Sequence, residues 1–466
     1  MNDERLDILE TAVAEPATSY GAVRIDRIKL SNYRFFHGDF ELPVNGANIL
    51  IYGENGRGKS SIYRALEYLT DKRFDRIADE KNIFCDEGVP QIEFGFSNGK
   101  ELIIDSDLTE LPTGFDFIKG LSVFVPMLDY KKLLKVHFTT AANADSINVY
   151  DMLRELFREF PHKESGTLAE IRNFMVYIKE LEELVNGLLL DETNKLIRFF
   201  DADFRIDRFA FAMESAADGR PEQTVRIEID FKDTVIDNYH AFLNEARLTA
   251  LAVSLYFAAI KAMMGTLKDD CLKMLVLDDL LISLDMSNRL KLLDILKAEF
   301  SDFQTFMFTH DKELFEIYKN RMPWEKFEFY VDEETTIPKA KVIKSFSELE
   351  RAKKYYAEKE YDSCALQLRK GCENLLKSYL SPQERVNKYG EELDFSGMLD
   401  RAKSKNAELK EILERLDSDR TYILNRLCHN DHGNVYSGEL KNAIKALETL
   451  EELLNCHYDQ FSVEEG

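Results

Sequence analysis

Residues 53–66 read GENGRGKSSIYRAL, from Gly53 to Leu66. The stretch fits G-x-x-x-x-G-K-[ST], with Gly53, Gly58, Lys59 and Ser60 in the fixed places. Glycines let backbone N–H groups wrap phosphates, and the helix expected from Lys59 onward adds the positive end of its dipole. Lys59 is expected to reach the β- and γ-phosphates of a nucleotide, and the Ser60 hydroxyl to ligate Mg2+. Asn55, Gly56 and Ser61 complete the nucleotide-binding set.

Working outward, "NILIYG" is a short apolar run ending at the first glycine, as a buried strand feeding a loop should be. Before it, "VRIDRIKL" and "YRFFHGDFEL" read as strands. "QIEFGFSNGKELIID" (Gln91–Asp105) alternates about an Asn-Gly turn and predicts a hairpin. "LSVFVPMLDYKKLLKVH" (Leu121–His137) reads as a strand and a helix. Residues 151–200 read as mostly helical, too short for a long coiled coil. Strands return at "FRIDRFAFAM" and "TVRIEIDF", followed by a helix from Leu248.

A phosphate loop needs a carboxylate at the end of a neighbouring apolar strand. "MLVLDDLLISLD" supplies it. Asp278 is expected to hold the Mg2+ and Asp279 to polarise the attacking water. "FTHD" stands further on, with His310 at the end of the next strand, where it would sense the γ-phosphate.

These motifs together resemble the ABC-type ATPases of the SMC/RecF group, over about residues 22–340. The resemblance implies an α/β ATPase head split around a short helical arm, with ATP and Mg2+ as ligands. "KLSNYRFF" is similar to the family's N-terminal strand, which implies that Asn32 and Arg34 approach the nucleotide. "VFVPMLDY" occupies the place of the Q-loop without a glutamine, and Asp129 is the substitute there, as a possible metal ligand. "FLNEARLTALAVSLYFA" is similar to the family signature, with Asn244 for its serine, Ala246 for its glycine and Arg247 for its glutamine. In the family this loop caps the γ-phosphate of the opposite subunit, which implies an ATP-dependent dimer or higher homo-oligomer. An aspartate at 279, where glutamate is common, implies slow hydrolysis.

The implied organisation is a tail at 1–20, a first lobe at 21–150, the arm at 151–204 and a second lobe at 205–344. A C-terminal all-α domain fills 345–466. In "DSCALQLRKGCENLLKSYL", Arg369 and Glu373 lie four apart on one helical face, the spacing of a simple ion pair. "LNRLCHNDHGN" sets His429 and His432 beside Arg426. No thiolates stand at metal spacing, so a zinc site is not expected. The domain resembles HEPN bundles, whose ribonuclease members carry R-x(4–6)-H. Arg426 with His432, or Arg369 and Glu373 with His429, would supply metal-free cleavage of RNA. "LDDLLISLD" is similar to ATPases of bacterial anti-phage systems, including the PrrC/RloC group and Septu-type subunits.

Composition limits the rest. The 466 residues are 45% hydrophobic and 31% charged, with a net charge of -24. Contact with tRNA, other RNA or DNA would therefore need local basic patches. Six cysteines without C-x-x-C spacing suit a reducing compartment. The acidic N-terminus lacks the apolar core of a signal peptide, and the longest apolar run, Leu248 to Ile260, is too short to cross a bilayer. A cytoplasmic protein with no membrane partner is expected. Three functions stay open at this point. One is an ATP-gated ribonuclease of phage defence, and one is a regulator that docks a separate nuclease or sensor subunit. The last is a DNA-repair ATPase.

Overall fold

The computed structural model describes residues 23–124, 126–137, 147–200, 203–215, 220–267, 271–280, 286–332, 335, 337–381, 383–406, 409–419 and 437–464. They form two compact units. One holds residues up to Ile49, Asn55–Phe308 and Tyr330–Lys341; the other holds Leu50–Glu54, Thr309–Phe329 and residues from Val342 onward.

In the first unit, β1 (Ile25–Tyr33) pairs antiparallel with β2 (Phe36–Pro43) and with β4 (Gln91–Phe96), and β5 (Glu101–Ile104) completes a four-stranded sheet. The Asn-Gly turn joins β4 to β5 as its sequence requires. A second set of strands is parallel. β6 (Met127–Asp129) and β13 (Gln304–Thr309) flank β12 (Met274–Asp278). Met274–Leu277 and all six residues of β13 are buried, the continuous apolar text of strands covered on both faces.

The 151–200 region is less uniformly helical than its sequence suggests. After a helix at Tyr150–Leu156, β7 (Pro161–His162) and β8 (Gly166–Thr167) form a small hairpin. Gly166 turns at φ +84°, a conformation that L side chains rarely adopt. A helix then runs from Phe174 to Ile197 through one π turn at Val185–Leu189. Asn186 and Asn194 each clamp the edge of β9 (Phe204–Ser215). Asn186 bonds the N–H and C=O of Phe209 at 2.8 and 2.9 Å, and Asn194 those of Ile206 at 2.7 and 2.9 Å. Eight residues apart, the two asparagines would drift off one face of a regular helix; the π turn absorbs a residue and restores it. β9 pairs with β10 (Pro221–Phe231), and β10 with β11 (Thr234–Ile236).

The Glu245–Met264 helix is buried almost all round from Leu248 to Met263. It is the one described helix long and apolar enough to cross a membrane, and 83% of its most apolar window is buried inside the protein. Tyr256 and Tyr239 donate from this region to Lys132 O at 3.0 Å and Val136 O at 2.9 Å. They fasten it to the Tyr130–His137 helix that follows β6.

In the second unit, β3 (Ile49–Gly53) lies beside β14 (Glu325–Asp332), and β14 beside β15 (Lys339–Ser345). The other long elements described in this unit are helices. Ser347 starts the Glu348–Ala357 helix with a capping box, its Oγ accepting from Glu350 N and the Glu350 carboxylate accepting from Ser347 N. Helices Tyr361–Tyr379, Phe395–Lys405, Lys410–Asp419 and Ser437–Glu464 follow. Ala365, Leu368, Cys372 and Leu376, spaced three and four apart, meet Leu399, Leu413 and Leu447 in one core. Each buried leucine contributes about 1.5–3 kcal/mol.

Candidate functional site

β3 is fully buried and delivers the chain into a loop that opens to solvent at Glu54, Asn55 and Gly56 before the helix at Lys59. Gly56 and Gly58 take φ of +80° and +97°. Gly58 caps the Lys59–Asp71 helix without a side chain. A Cβ at Gly58 would stand 2.8 Å from Phe35 Cδ1, so glycine is required by conformation and by space. Phe35 N–H also donates to Ser61 Oγ at 3.3 Å, tying the β1–β2 turn to the first turn of this helix. Ser60 is exposed at the helix start.

Lys59 is only 6% exposed. Burial lowers its pKa, and the charges of Asp279 and then Asp278 counter that shift. The loop lysine therefore lies within electrostatic reach of both strand-end carboxylates. Asp278 ends β12 opposite Asp129 of β6 and Phe308 of β13. Asp279 follows at φ +49°, its N–H held by Phe308 O at 3.1 Å. A left-handed aspartate at a strand end turns the chain away from the sheet and leaves its carboxylate at the strand terminus.

Asp129 Oδ1 accepts from Lys132 N at 2.9 Å, starting the Tyr130–His137 helix. Tyr63, one turn beyond Lys59, is buried with its pKa raised by burial and then by the Asp129, Glu67 and Asp278 charges. Its hydroxyl edge thus lies in the field of both strand-end aspartates. Sequence reading missed Tyr63, although its i+4 spacing from Lys59 places it on the same helical face.

Asn32 and Arg34 both adopt positive φ, 49° and 48°. Asn32 Oδ1 accepts from Gly38 N at 3.0 Å, and the Arg34 guanidinium pairs with Glu80. The Glu80–Asn82 segment also grips this turn by its backbone. Arg34 N donates to Glu80 O at 2.8 Å and Asn82 N to Asn32 O at 2.9 Å. Asn82 and Glu80 carry no local signal that would have announced them as partners of this turn.

Asn244 caps the Glu245–Met264 helix, its Oδ1 accepting from Arg247 N at 2.9 Å. Ala246 lies half-buried in that first turn, and the Arg247 guanidinium stands 5.1 Å from the Phe231 ring centre. His310 is half-buried one residue past β13, and Asp311 then caps the Lys312–Arg321 helix. Arg369 Nε bonds Glu373 Oε1 at 2.9 Å, with the two side chains 28% and 29% exposed. Arg426, His429 and His432 lie outside the described residues.

The site fits a nucleotide with Mg2+. Gly56 and Gly58 turn through left-handed backbone, Ser60 is exposed at the head of the helix, and Lys59 is buried in the field of Asp279 and Asp278. Among the described residues, no group of three or more His, Cys, Asp or Glu is placed to hold a metal. A Mg2+ ion here would draw on phosphate oxygens and water beside Ser60 and Asp278.

No protein-family model matches the chain, and no curated protein sequence matches it. Similar solved structures include an SMC head bound to the C-terminal winged-helix domain of ScpA. It is 13% identical over 69% of this chain and 98% of that one, with a TM-score of 0.41. The recombination mediator RecF with ATP is 13% identical over 70% and 99%, with a TM-score of 0.41. An SMC head domain from Thermotoga maritima is 13% identical over 69% and 99%, with a TM-score of 0.36.

Proposed function

We propose that the chain binds and hydrolyses ATP as an ABC-type ATPase of the SMC/RecF-like kind, acting as a slow switch. The observation that carries this reading is Lys59, buried at the head of a glycine-capped helix and in the electrostatic field of Asp279 and Asp278. A γ-phosphate near Lys59 would strengthen the negative field that Asp279 and Asp278 already set around the buried ammonium. Ser60 and Asp278 would hold Mg2+, which when bound neutralises phosphate charge in the transition state. Asp279 would accept a proton from the attacking water, and His310 would position the γ-phosphate. Two copies would close with Asn244, Ala246 and Arg247 of one chain over the nucleotide of the other.

The test is Asp279→Asn in the full chain. Phosphate release should fall by about 10²–10⁴, the range for losing a general base, while nucleotide affinity persists. Unchanged turnover would remove Asp279 from this role.

The output of the switch is assigned to the C-terminal helices, in phage defence. In one reading they form a HEPN-like ribonuclease using either Arg426 with His432 or Arg369 and Glu373 with His429. Full-length chain with MgATP should then cut tRNA to 2′,3′-cyclic phosphate ends, and of His429→Ala and His432→Ala the one at the catalytic histidine should abolish cleavage while the other mainly loosens the fold. A second reading, a platform for a separate nuclease or sensor subunit, is favoured by one observation. Arg369 and Glu373 bond each other as an ordinary i,i+4 pair, half-exposed, rather than projecting separately toward a substrate. Intact tRNA together with a co-purifying nuclease subunit would decide for the platform.

A further inference from the structure

The Lys312–Arg321 helix begins two residues after His310 and lies in the same compact unit as the C-terminal helices and the Leu50–Glu54 strand segment. Both of its ends are gripped. At its start, the Phe315 ring packs on Tyr52, the residue before Gly53, with centroids 5.6 Å apart. Lys312 Nζ stands 4.6 Å from the Tyr52 ring centre and donates to Glu328 Oε2 at 2.6 Å. Glu328 Oε1 accepts from Ser345 Oγ at 2.8 Å. At its end, Lys319 is 2% exposed and pairs with Glu316 and, at 3.4 Å, with Glu348 in the first turn of the Glu348–Ala357 helix. Arg321 Nη2 donates to Ser378 O near the end of the Tyr361–Tyr379 helix at 3.1 Å. One short helix thus joins the strand entering the phosphate loop, the histidine after β13 and the first two C-terminal helices.

We propose that this helix transmits nucleotide state to the C-terminal helices, with the buried Lys319–Glu348 contact as the coupling and Lys319 as a positioning residue acting on His310 through it. The proposal rests on the ATPase reading above. A buried ion pair is weak support for stability, because desolvation offsets its attraction and an apolar pair would pack as firmly. This pair is also loose. At 3.4 Å it is longer than a good charge-assisted bond, and buried Glu348 Oε2 has no hydrogen-bond partner among the described residues. A small slide of the Lys312–Arg321 helix along Glu348 would exchange which oxygen Lys319 meets. Packed helices shift in this way, by an ångström or two, when a bound group moves one of them. A helix movement begun at His310 or Tyr52 therefore reaches Glu348 and Ser378 without unfolding either helix.

The test uses the full chain, Lys319→Met and Glu348→Gln, which keep side-chain size and remove one charge each. ATP affinity, kcat and KM are measured together with amide hydrogen exchange of Glu348–Ala357 and Tyr361–Tyr379, with and without MgATP. In the wild type, MgATP should change exchange in both helices. In both variants that change should vanish and kcat should shift by about fivefold or more, the scale of an allosteric coupling, while ATP affinity holds within about twofold. A wild type that binds ATP but shows no C-terminal change, or variants that keep the full response, would overturn the proposal. If both variants lose their cooperative melt, the contact is a structural staple and the proposal also falls. Failure of the wild type to bind ATP would instead sink the ATPase reading.

Discussion

Asp129 and Asp278 end neighbouring parallel strands in direct register, and both charges act on the buried Tyr63. Two carboxylates at one sheet edge need different tasks. Asp129 already accepts from Lys132 N as a helix start. Asp278→Asn should therefore reduce Mg2+-dependent turnover by about 10²-fold or more, as expected when a metal-holding carboxylate is lost from a phosphoryl-transfer site. Asp129→Asn keeps an acceptor for Lys132 and should leave the melting temperature unchanged, with a smaller loss of turnover. Turnover titrated against Mg2+ for both variants checks this, and equal losses would contradict the division.

Gly58→Ala should destabilise the chain by roughly 1–3 kcal/mol, since the position needs φ +97° and a Cβ would crowd Phe35. Phe35→Leu alone should not rescue it, because the backbone strain remains. Denaturant unfolding of the single and double variants measures this.

Asn244 combines a cap with a proposed contact across two heads, and these separate by substitution. Asn244→Ala should cost about 1 kcal/mol through the lost bond to Arg247 N. Asn244→Asp keeps the cap but sets a negative charge against phosphate. It should melt like the parent and fail to dimerise with MgATP. Solution mass in an Asp279→Asn background, where hydrolysis is slowed, reads the difference.

Glu451, on the last helix, has its pKa pushed up to about 7, chiefly by burial, with Lys326 and Lys353 opposing and Glu350 and Glu348 adding to the rise. The folded carboxyl holds its proton more tightly than the unfolded one. Its ionisation therefore costs stability in full above about pH 7. The cost fades as pH falls toward 4.5, the ordinary value for a glutamate, and below that it is absent. From pH 8 to pH 5.5 this group should raise the melting temperature of the C-terminal helices, and Glu451→Gln should flatten that slope. Melts followed by far-ultraviolet circular dichroism at several pH values test it.

The phosphate loop and the Asp278–Asp279 strand end were legible because their signals are local. A glycine-flanked loop follows a buried strand, and two aspartates follow four apolar residues. The β4–β5 hairpin was legible for the same reason, through its Asn-Gly turn. What escaped depends on distant partners. The Arg34 guanidinium pairs with Glu80, 46 residues on, and no sequence period marks that pairing. The β7–β8 hairpin sits in text read as helical, with one glycine to announce it. The gathering of Leu50–Glu54 and Thr309–Phe329 with the C-terminal helices is written in single contacts such as Tyr52–Phe315 and Lys319–Glu348, which only the folded chain assembles. Arg426, His429 and His432 lie outside the described residues, so the C-terminal chemistry still stands on their sequence spacing.

The central claim is that Lys59 serves a nucleotide phosphate, and titration of MgATP into wild type and Lys59→Ala tests it most directly. Lys59 is buried beside carboxylates rather than in the apolar core, so its loss should spare the fold and leave the melting temperature close to that of the parent. The wild type should bind MgATP, and the variant should lose at least tenfold in affinity, about 1.4 kcal/mol or more. A folded Lys59→Ala chain that binds MgATP as tightly as wild type, or a wild type that does not bind it, would contradict the account.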